Sequence, residues 1–200
     1  MDNHERMLTG RVYDPNEARI LAEQAQALEL LYDYNSTRPS QQDERARLLP
    51  LMFGALGKTC YFEPPLHANW GGRHVFVGDS VYANFNLTLV DDGDIYIGSN
   101  TMFGPNVVVA TAGHPILPEL RARGLQYNLP VHIGSNVWIG GGAQIMPGLT
   151  IGDDTVIGAG SVVTRDLPSG VVAVGVPCRV LRQISDHDSE FYWQNRRLDD

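Results

Sequence analysis

The residue best suited to move a proton is His114, in Thr111-Ala-Gly-His-Pro115. Free imidazole titrates near ~6.5, so at neutral pH it can take a proton from a weak nucleophile. A histidine in a surface loop can equally do nothing. Asn84 and Asn86 lie in Tyr82-Ala-Asn-Phe-Asn86. A carboxamide is a neutral donor able to stabilise an oxyanion. Asn also tolerates left-handed backbone, and one of the pair is expected at a tight corner. Asp91, Asp92 and Asp94 form an acidic turn, suited either to sugar hydroxyls or to solvent. Gly140-Gly-Gly142 and Gly158-Ala-Gly160 are no dinucleotide fingerprint, because no strand–helix–strand pattern surrounds them. They fit better as corners of a coil, where bare backbone also lets a ligand lie close.

What must position these residues is a repeat. Ile133, Ile139, Ile145, Ile151, Ile157 and Val163 fall six apart, and four of the six precede Gly. Neither an α-helix nor a heptad gives a strict six. The hexad is the signature of a parallel β-helix, three sixes completing one triangular coil with the aliphatic residues stacked inside. Val77, Ala83 and Leu89 keep the step. Asp91–Asp94 slips it by two residues, and Ile97, Phe103 and Val109 restore it. Residues 111–130 hold three prolines, two glycines and little periodicity. They read as a loop pushed off one face, the kind of segment that often carries function. Val171 to Pro177 reads as a last, imperfect coil.

Residues 1–58 are charged, nearly free of Gly and helical in pattern. Asp14-Pro15 predicts a helix start, with Ala18, Leu21, Ala25, Leu28 and Leu31-Tyr32 along one face. Ser40-Gln-Gln-Asp43 resembles a capping box for a second helix, which carries Leu48, Leu49, Met52 and Phe53 and stops near Gly54 or Gly57. Two helices are thus expected to cover the open end of the coil. The domain plan is a helical cap (1–58), a β-helix (59–185, with the loop 111–130) and a short C-terminal tail (186–200) entered through a short helix. The class is mainly β.

Two hundred residues at 43% hydrophobic content can bury one core. A net charge of −8 argues against nucleic acid or an anionic membrane as partner, so an anionic ligand needs a local basic cluster. Cys60 and Cys178 are far apart without metal or redox spacing, as expected of reduced thiols in a cytoplasmic protein. The N-terminus lacks a signal peptide's apolar run, and no stretch approaches membrane-spanning length.

The chain resembles the galactoside and maltose O-acetyltransferases of the hexapeptide-repeat acyltransferase superfamily over nearly its whole length. The resemblance is carried by Leu8-Thr-Gly-Arg-Val-Tyr-Asp14, Glu63-Pro-Pro65, Tyr82-Ala-Asn-Phe-Asn-Leu-Thr88, Asp91-Asp92, Gly113-His-Pro115, Asn136-Val-Trp-Ile-Gly140 and Gly175-Val-Pro-Cys-Arg179. It implies a left-handed parallel β-helix, an exception to the right-handed crossover rule. It also implies homotrimers with acetyl-coenzyme A sites between adjacent subunits, and acetyl transfer to a sugar hydroxyl. His114 is then the general base. Asn84 stabilises the oxyanion, helped by the Gly141 backbone N–H, with no acyl-enzyme and no metal. Trp138, Gly141, Ala159, Thr164, Arg165, Arg179 and Arg182, together with Asn84, match coenzyme positions. Trp138 could instead pack at a coil edge or a trimer interface, and each arginine could be merely solvated. Asp14 and Asp92 fall on or near acceptor positions. Asn69 stands where relatives carry Ser or Asp, and the extra glycine of Trp70-Gly71-Gly72 shifts that alignment by one. Tyr82 and Tyr127 could stack on a sugar or simply pack.

Two other classes fit the architecture. One is a zinc hydrolyase like the γ-type carbonic anhydrases, drawing on His114 and His132, eighteen apart, with His67 and His74 available. The other is a non-catalytic scaffold trimer. Galactosides, glucose, maltose and lipo-oligosaccharides all remain acceptors by resemblance, and the pattern fits O- and N-transfer alike.

Overall fold

The six-residue step closes into a parallel β-helix. The first coil is β1 (Ala55–Leu56), β2 (Tyr61–Phe62) and β3 (His67–Ala68); the second is β4 (Val75–Val77), β5 (Tyr82–Ala83) and β6 (Thr88–Val90). The third is β7 (Ile95–Ile97), β8 (Met102–Phe103) and β9 (Val108–Ala110). The loop follows, with β10 (Ala112–Gly113), α4 (Pro118–Ala122) and β11 (Tyr127–Asn128). The regular run then supplies β12 (Val131–Ile133), β13 (Trp138–Ile139), β14 (Gln144–Ile145), β15 (Thr150–Ile151), β16 (Val156–Ile157) and β17 (Val162–Val163). β18 (Val171–Val174) and the antiparallel β19 (Arg179–Gln183) finish the column. This computed structural model describes residues 1–194 and 196–198; Asn195, Asp199 and Asp200, part of the expected tail, lie outside the described residues.

The strands stack into three faces: β1-β4-β7-β12-β15, then β2-β5-β8-β13-β16-β18-β19, then β3-β6-β9-β14-β17. Ile133 pairs with Ile151 and Ile139 with Ile157, so one coil takes eighteen residues, as the hexad requires. Ile97, Ile133 and Ile151 stack inside the first face, each no more than 3% exposed. Removing such a side chain from water contributes about 2–3 kcal/mol. Glycines follow the aliphatic positions because the coils touch there. A Cβ on Gly134 would lie 2.4 Å from Asp153 Oδ1, and one on Gly98 2.5 Å from the Gly134 carbonyl carbon. Left-handed residues turn the corners: Asn100 and Asn136 on one, Asn86 and Asn106 on the next. Asn86 is therefore the left-handed residue of its pair; Asn84 shares the corner without that backbone.

Three helices precede the column where two were expected: α1 (Asn3–Leu8), α2 (Ala18–Asn35) and α3 (Gln42–Met52). α1 carries a true capping box between Asp2 and Glu5, a signal readable in the sequence. Ser40–Asp43 makes none. Gln41 is the N-cap of α3 without a side-chain bond to the helix, and its Oε1 accepts from the Arg38 N–H instead. The expected stripe on α2 is also displaced. Ile20, Leu31 and Tyr34 are buried, whereas Leu21, Leu28 and Tyr32 are exposed. The buried face is set by what α2 packs on: Ile20 joins Met7, Tyr13 and Trp70, Ala27 lies over Gly71, and the last turns meet the first coil. There the Asn35 side chain imitates a strand, its Nδ2 donating to the Leu66 carbonyl at 2.7 Å while its Oδ1 accepts from the Leu66 N–H at 2.8 Å. Tyr34 donates to the Phe62 carbonyl, and buried Arg45 donates to Tyr61 Oη at 3.1 Å. The cap thus satisfies the edge that an open coil would leave bare. Beyond β19 come a short helix (His187–Glu190) and a hairpin (Phe191–Trp193 with Arg196–Arg197).

Candidate active site

The slip at residues 91–94 and the loop 111–130 share one corner, between the third and first faces. The acidic turn is not a solvated patch. Asp91 is fully buried and accepts from the Trp70 N–H at 2.7 Å and the Gly72 N–H at 2.9 Å. Burial outweighs those donors and pushes its carboxyl up to about 6. Asp91 therefore holds the Trp70-Gly-Gly turn, whose Gly71 faces the Ala27 carbonyl so closely that a Cβ there would stand 2.4 Å from the oxygen. Asp92 is 7% exposed and takes Asn69 Nδ2 at 2.8 Å on Oδ2 and Gln126 Nε2 at 3.1 Å on Oδ1. Asp94 accepts from Tyr96 Oη.

The loop is a hairpin, β10 pairing antiparallel with β11. Bare Gly113 seats the Tyr127 ring, since a Cβ there would stand 2.7 Å from Tyr127 Cζ. Tyr127 therefore packs on its own hairpin. His114 follows directly, exposed, with Nδ1 2.8 Å from the Leu125 carbonyl. A carbonyl only accepts, so this contact makes Nδ1 the protonated nitrogen and, in the neutral ring, leaves Nε2 with its lone pair. Asp14, half-buried, accepts from Asn16 at 3.0 Å and lines an open cavity of about 630 Å³ with Tyr13, Arg6, Arg123 and Leu125.

The other candidates mostly occupy the corner between the second and third faces. Asn84 stands there with Oδ1 tied to the Phe85 N–H at 2.8 Å, so its NH₂ is the group left to donate. Above it come Gly104, Gly140 and Gly158, in register through β8, β13 and β16. Among the described residues, neither the Gly141 nor the Ala159 N–H has a hydrogen-bond acceptor. Trp138 is 53% exposed on the adjoining face, in line with Met102 and Tyr82, and Tyr82 stacks on Tyr61. These small corners and bare donors suit a long amide-bearing chain such as pantetheine.

Thr164 and Arg165 follow β17 and so belong to the loop-bearing corner; both are exposed. Arg179 and Arg182 lie on β19, Arg179 donating to the Cys178 carbonyl at 2.7 Å. Arg182 is gripped by Asp188 through bonds of 2.6 and 2.7 Å, which hold the Asp188 carboxyl below the usual carboxylate range.

His114 and Asn84 are not brought together within one chain. They stand on different corners, separated by the width of the third face, about 15 Å of extended chain. The histidines do not converge either. His132 stacks on Tyr96 on the first face, His67 is on the third, and half-buried His74 lies against Trp70 with its ring pushed toward neutrality by burial. Among the described residues no three His, Cys, Asp or Glu side chains form a metal-holding group. Two residues of this corner carry no sequence motif, Gln126 and Asn128. Both are buried polar residues, and their alternation about Tyr127 on a strand is the only signal pointing to them.

Residues 6–57 match the maltose acetyltransferase hexapeptide capping motif, and residues 130–165 match the bacterial transferase hexapeptide of six repeats. A galactoside O-acetyltransferase of Lactococcus lactis is 47% identical, the alignment covering 100% of this chain and 96% of that protein. The structure of a galactoside acetyltransferase in complex with coenzyme A superimposes with a TM-score of 0.96 at 41% identity, covering 100% of both chains. A maltose O-acetyltransferase from Clostridium difficile 630 gives 0.90 at 43% identity, over 92% of this chain and 98% of the other. No described helix is long and apolar enough to cross a membrane. With its hexad column, its helical cap and these relatives, the chain belongs to the galactoside and maltose O-acetyltransferase family of hexapeptide-repeat acyltransferases.

Proposed function

We propose that the protein transfers acetyl from acetyl-coenzyme A to a hydroxyl of a sugar, with His114 as general base. The observation that carries this reading is the His114 ring itself, anchored through Nδ1 with Nε2 free, beside a corner rich in held carboxylates. Nε2 removes the hydroxyl proton as the oxygen attacks the thioester carbon. The new C–O bond forms, the carbonyl oxygen takes the negative charge, and the Asn84 amide and Gly141 N–H donate to it. When the C–S bond breaks, His114 returns the proton to the departing thiolate. Asp92, Asn69 and Asp14 hold the acceptor, with Tyr82 along its approach.

The separation of corners supports a site built from two chains. One subunit presents Asn84, Trp138, Gly141 and Ala159; its neighbour presents His114, Thr164 and Arg165. A corner-to-corner contact of this kind is heterologous and closes as a ring, here a homotrimer. Arg165, Arg179 and Arg182 supply the local positive charge that an acidic protein needs for the coenzyme's phosphates. A cytoplasmic setting goes with this reading, supported by the donor and by two cysteines that stay free thiols.

The test is thiol release from acetyl-coenzyme A with galactosides, glucose and maltose as acceptors. His114→Ala is expected to lower the rate by about 10²- to 10⁴-fold, the span of a general base. Undiminished turnover in that variant would rule the mechanism out.

A further inference from the structure

Four buried polar side chains join the His114 corner to the N-terminal arm, and the reaction scheme uses only one of them, Asp92. Tyr13 is 2% exposed, Asp92 7%, Gln126 8% and Asn128 2%. The Gln126 Nε2 hydrogens are shared among Tyr13 Oη at 2.7 Å, Asp92 Oδ1 at 3.1 Å and Asn128 Oδ1 at 3.1 Å. Asn128 Nδ2 reaches Tyr13 Oη at 3.1 Å, the Asp92 carbonyl at 2.9 Å and the Met7 carbonyl at 3.2 Å. Burial pushes the Tyr13 hydroxyl up to about 12, so it stays neutral. The backbone repeats the link, with Tyr13 N–H to the Gln126 carbonyl at 2.9 Å and Gln126 N–H to the Tyr13 carbonyl at 3.1 Å.

The residue before Gln126 is Leu125, whose carbonyl fixes His114 Nδ1. The segment bearing that carbonyl is therefore held at the next residue by Tyr13, and the side chain of that residue grips Asp92. Apolar side chains at 13 and 126 would fill the same space but would leave Asp92 Oδ1 and Asn128 Oδ1 without this donor.

We propose that Tyr13 and Gln126 are positioning residues for acetyl transfer: they pin the Leu125 carbonyl that keeps Nε2 of His114 free, and they hold the Asp92 carboxylate in register with it. The inference rests on His114 as the base. It assigns the N-terminal arm a part in turnover beyond capping the column.

The variants are Gln126→Met and Tyr13→Phe, the second leaving each amide another partner. Nitrogen-15 spectra of the histidine rings, with the His114 signal assigned by its loss in His114→Ala, report which ring nitrogen carries the proton. Wild type is expected to show one Nδ1–H tautomer, and Gln126→Met a mixture. Its kcat should fall by roughly tenfold to a hundredfold, as displaced catalytic groups commonly show, with KM for acetyl-coenzyme A within about twofold of wild type. Tyr13→Phe should move both readouts the same way by less. If Gln126→Met does not fold, Tyr13→Phe alone decides. A folded variant with the wild-type ring spectrum and wild-type kcat would overturn the proposal. Retained turnover in His114→Ala would overturn the base reading instead, whatever the ring spectra show.

Discussion

The two candidate corners of the column are built on opposite principles. The corner of Asn84, Gly104, Gly140 and Gly158 is repetitive, each coil laying the next backbone over the last. Its donors without an acceptor among the described residues, Gly141 and Ala159 N–H, follow from small residues at fixed steps. The corner of Asp92 and His114 is irregular: a two-residue slip, a hairpin loop and an N-terminal arm meet there. Repetition yields a straight track for an extended coenzyme. Irregularity yields a place where side chains from distant parts of the sequence can be oriented one by one. A hexad column cannot do the second without breaking its own period, and in this chain the breaks coincide with Asp92 and His114.

The contrast can be broken from either side. On the repetitive corner, Asn84→Ala should cost about 3 kcal/mol of barrier, a loss of roughly 10²-fold in kcat, with little change in thermal stability. A comparable loss of stability would make Asn84 a structural residue of the corner like Asn86. On the irregular corner, Asp91 predicts a pH dependence of stability. Its carboxyl titrates near 6 in the folded protein and at its ordinary 3.8 when unfolded. Between those values the folded protein holds a proton that the unfolded chain has released. The contribution is therefore whole below about pH 4, declines as pH rises through the window, and is gone above about pH 6. The shift corresponds to at most about 3 kcal/mol. Denaturation of wild type and Asp91→Asn at pH 4.5 and 6.5 should show wild type losing ground to the variant as pH rises; a constant difference would refute it. The smallest effect belongs to Asp188→Asn. It loosens the grip on Arg182 and should lower KM for acetyl-coenzyme A by about twofold, less at high salt, where exposed charges are screened.

The column was legible because its signal is a period. Ile133 to Val163 repeat six times, and stacked coils repeat the same contacts. The α2 stripe was not, because its buried face depends on the arm and coil it packs against rather than on its own spacing: Ile20 and Tyr34 are buried and Tyr32 exposed. The capping box was misplaced because Ser40–Asp43 has the pattern without the bond, while Asp2–Glu5 has both. At the candidate site, His114 and Asn84 stood out by chemical type and by a resemblance. Gln126 and Asn128 did not, since a lone buried amide acquires meaning only from partners at 13 and 92, and those distances exist only in the fold.

The central claim is that base and oxyanion donor come from different chains. It is tested most directly by mixing two inactive variants, His114→Ala and Asn84→Ala, under conditions that exchange subunits. Random assortment in a ring gives an intact pair at about one contact in four, so thiol release should recover to roughly a quarter of the wild-type rate. A mixture no more active than the average of its two parents would contradict the account and place both residues in a site within a single chain.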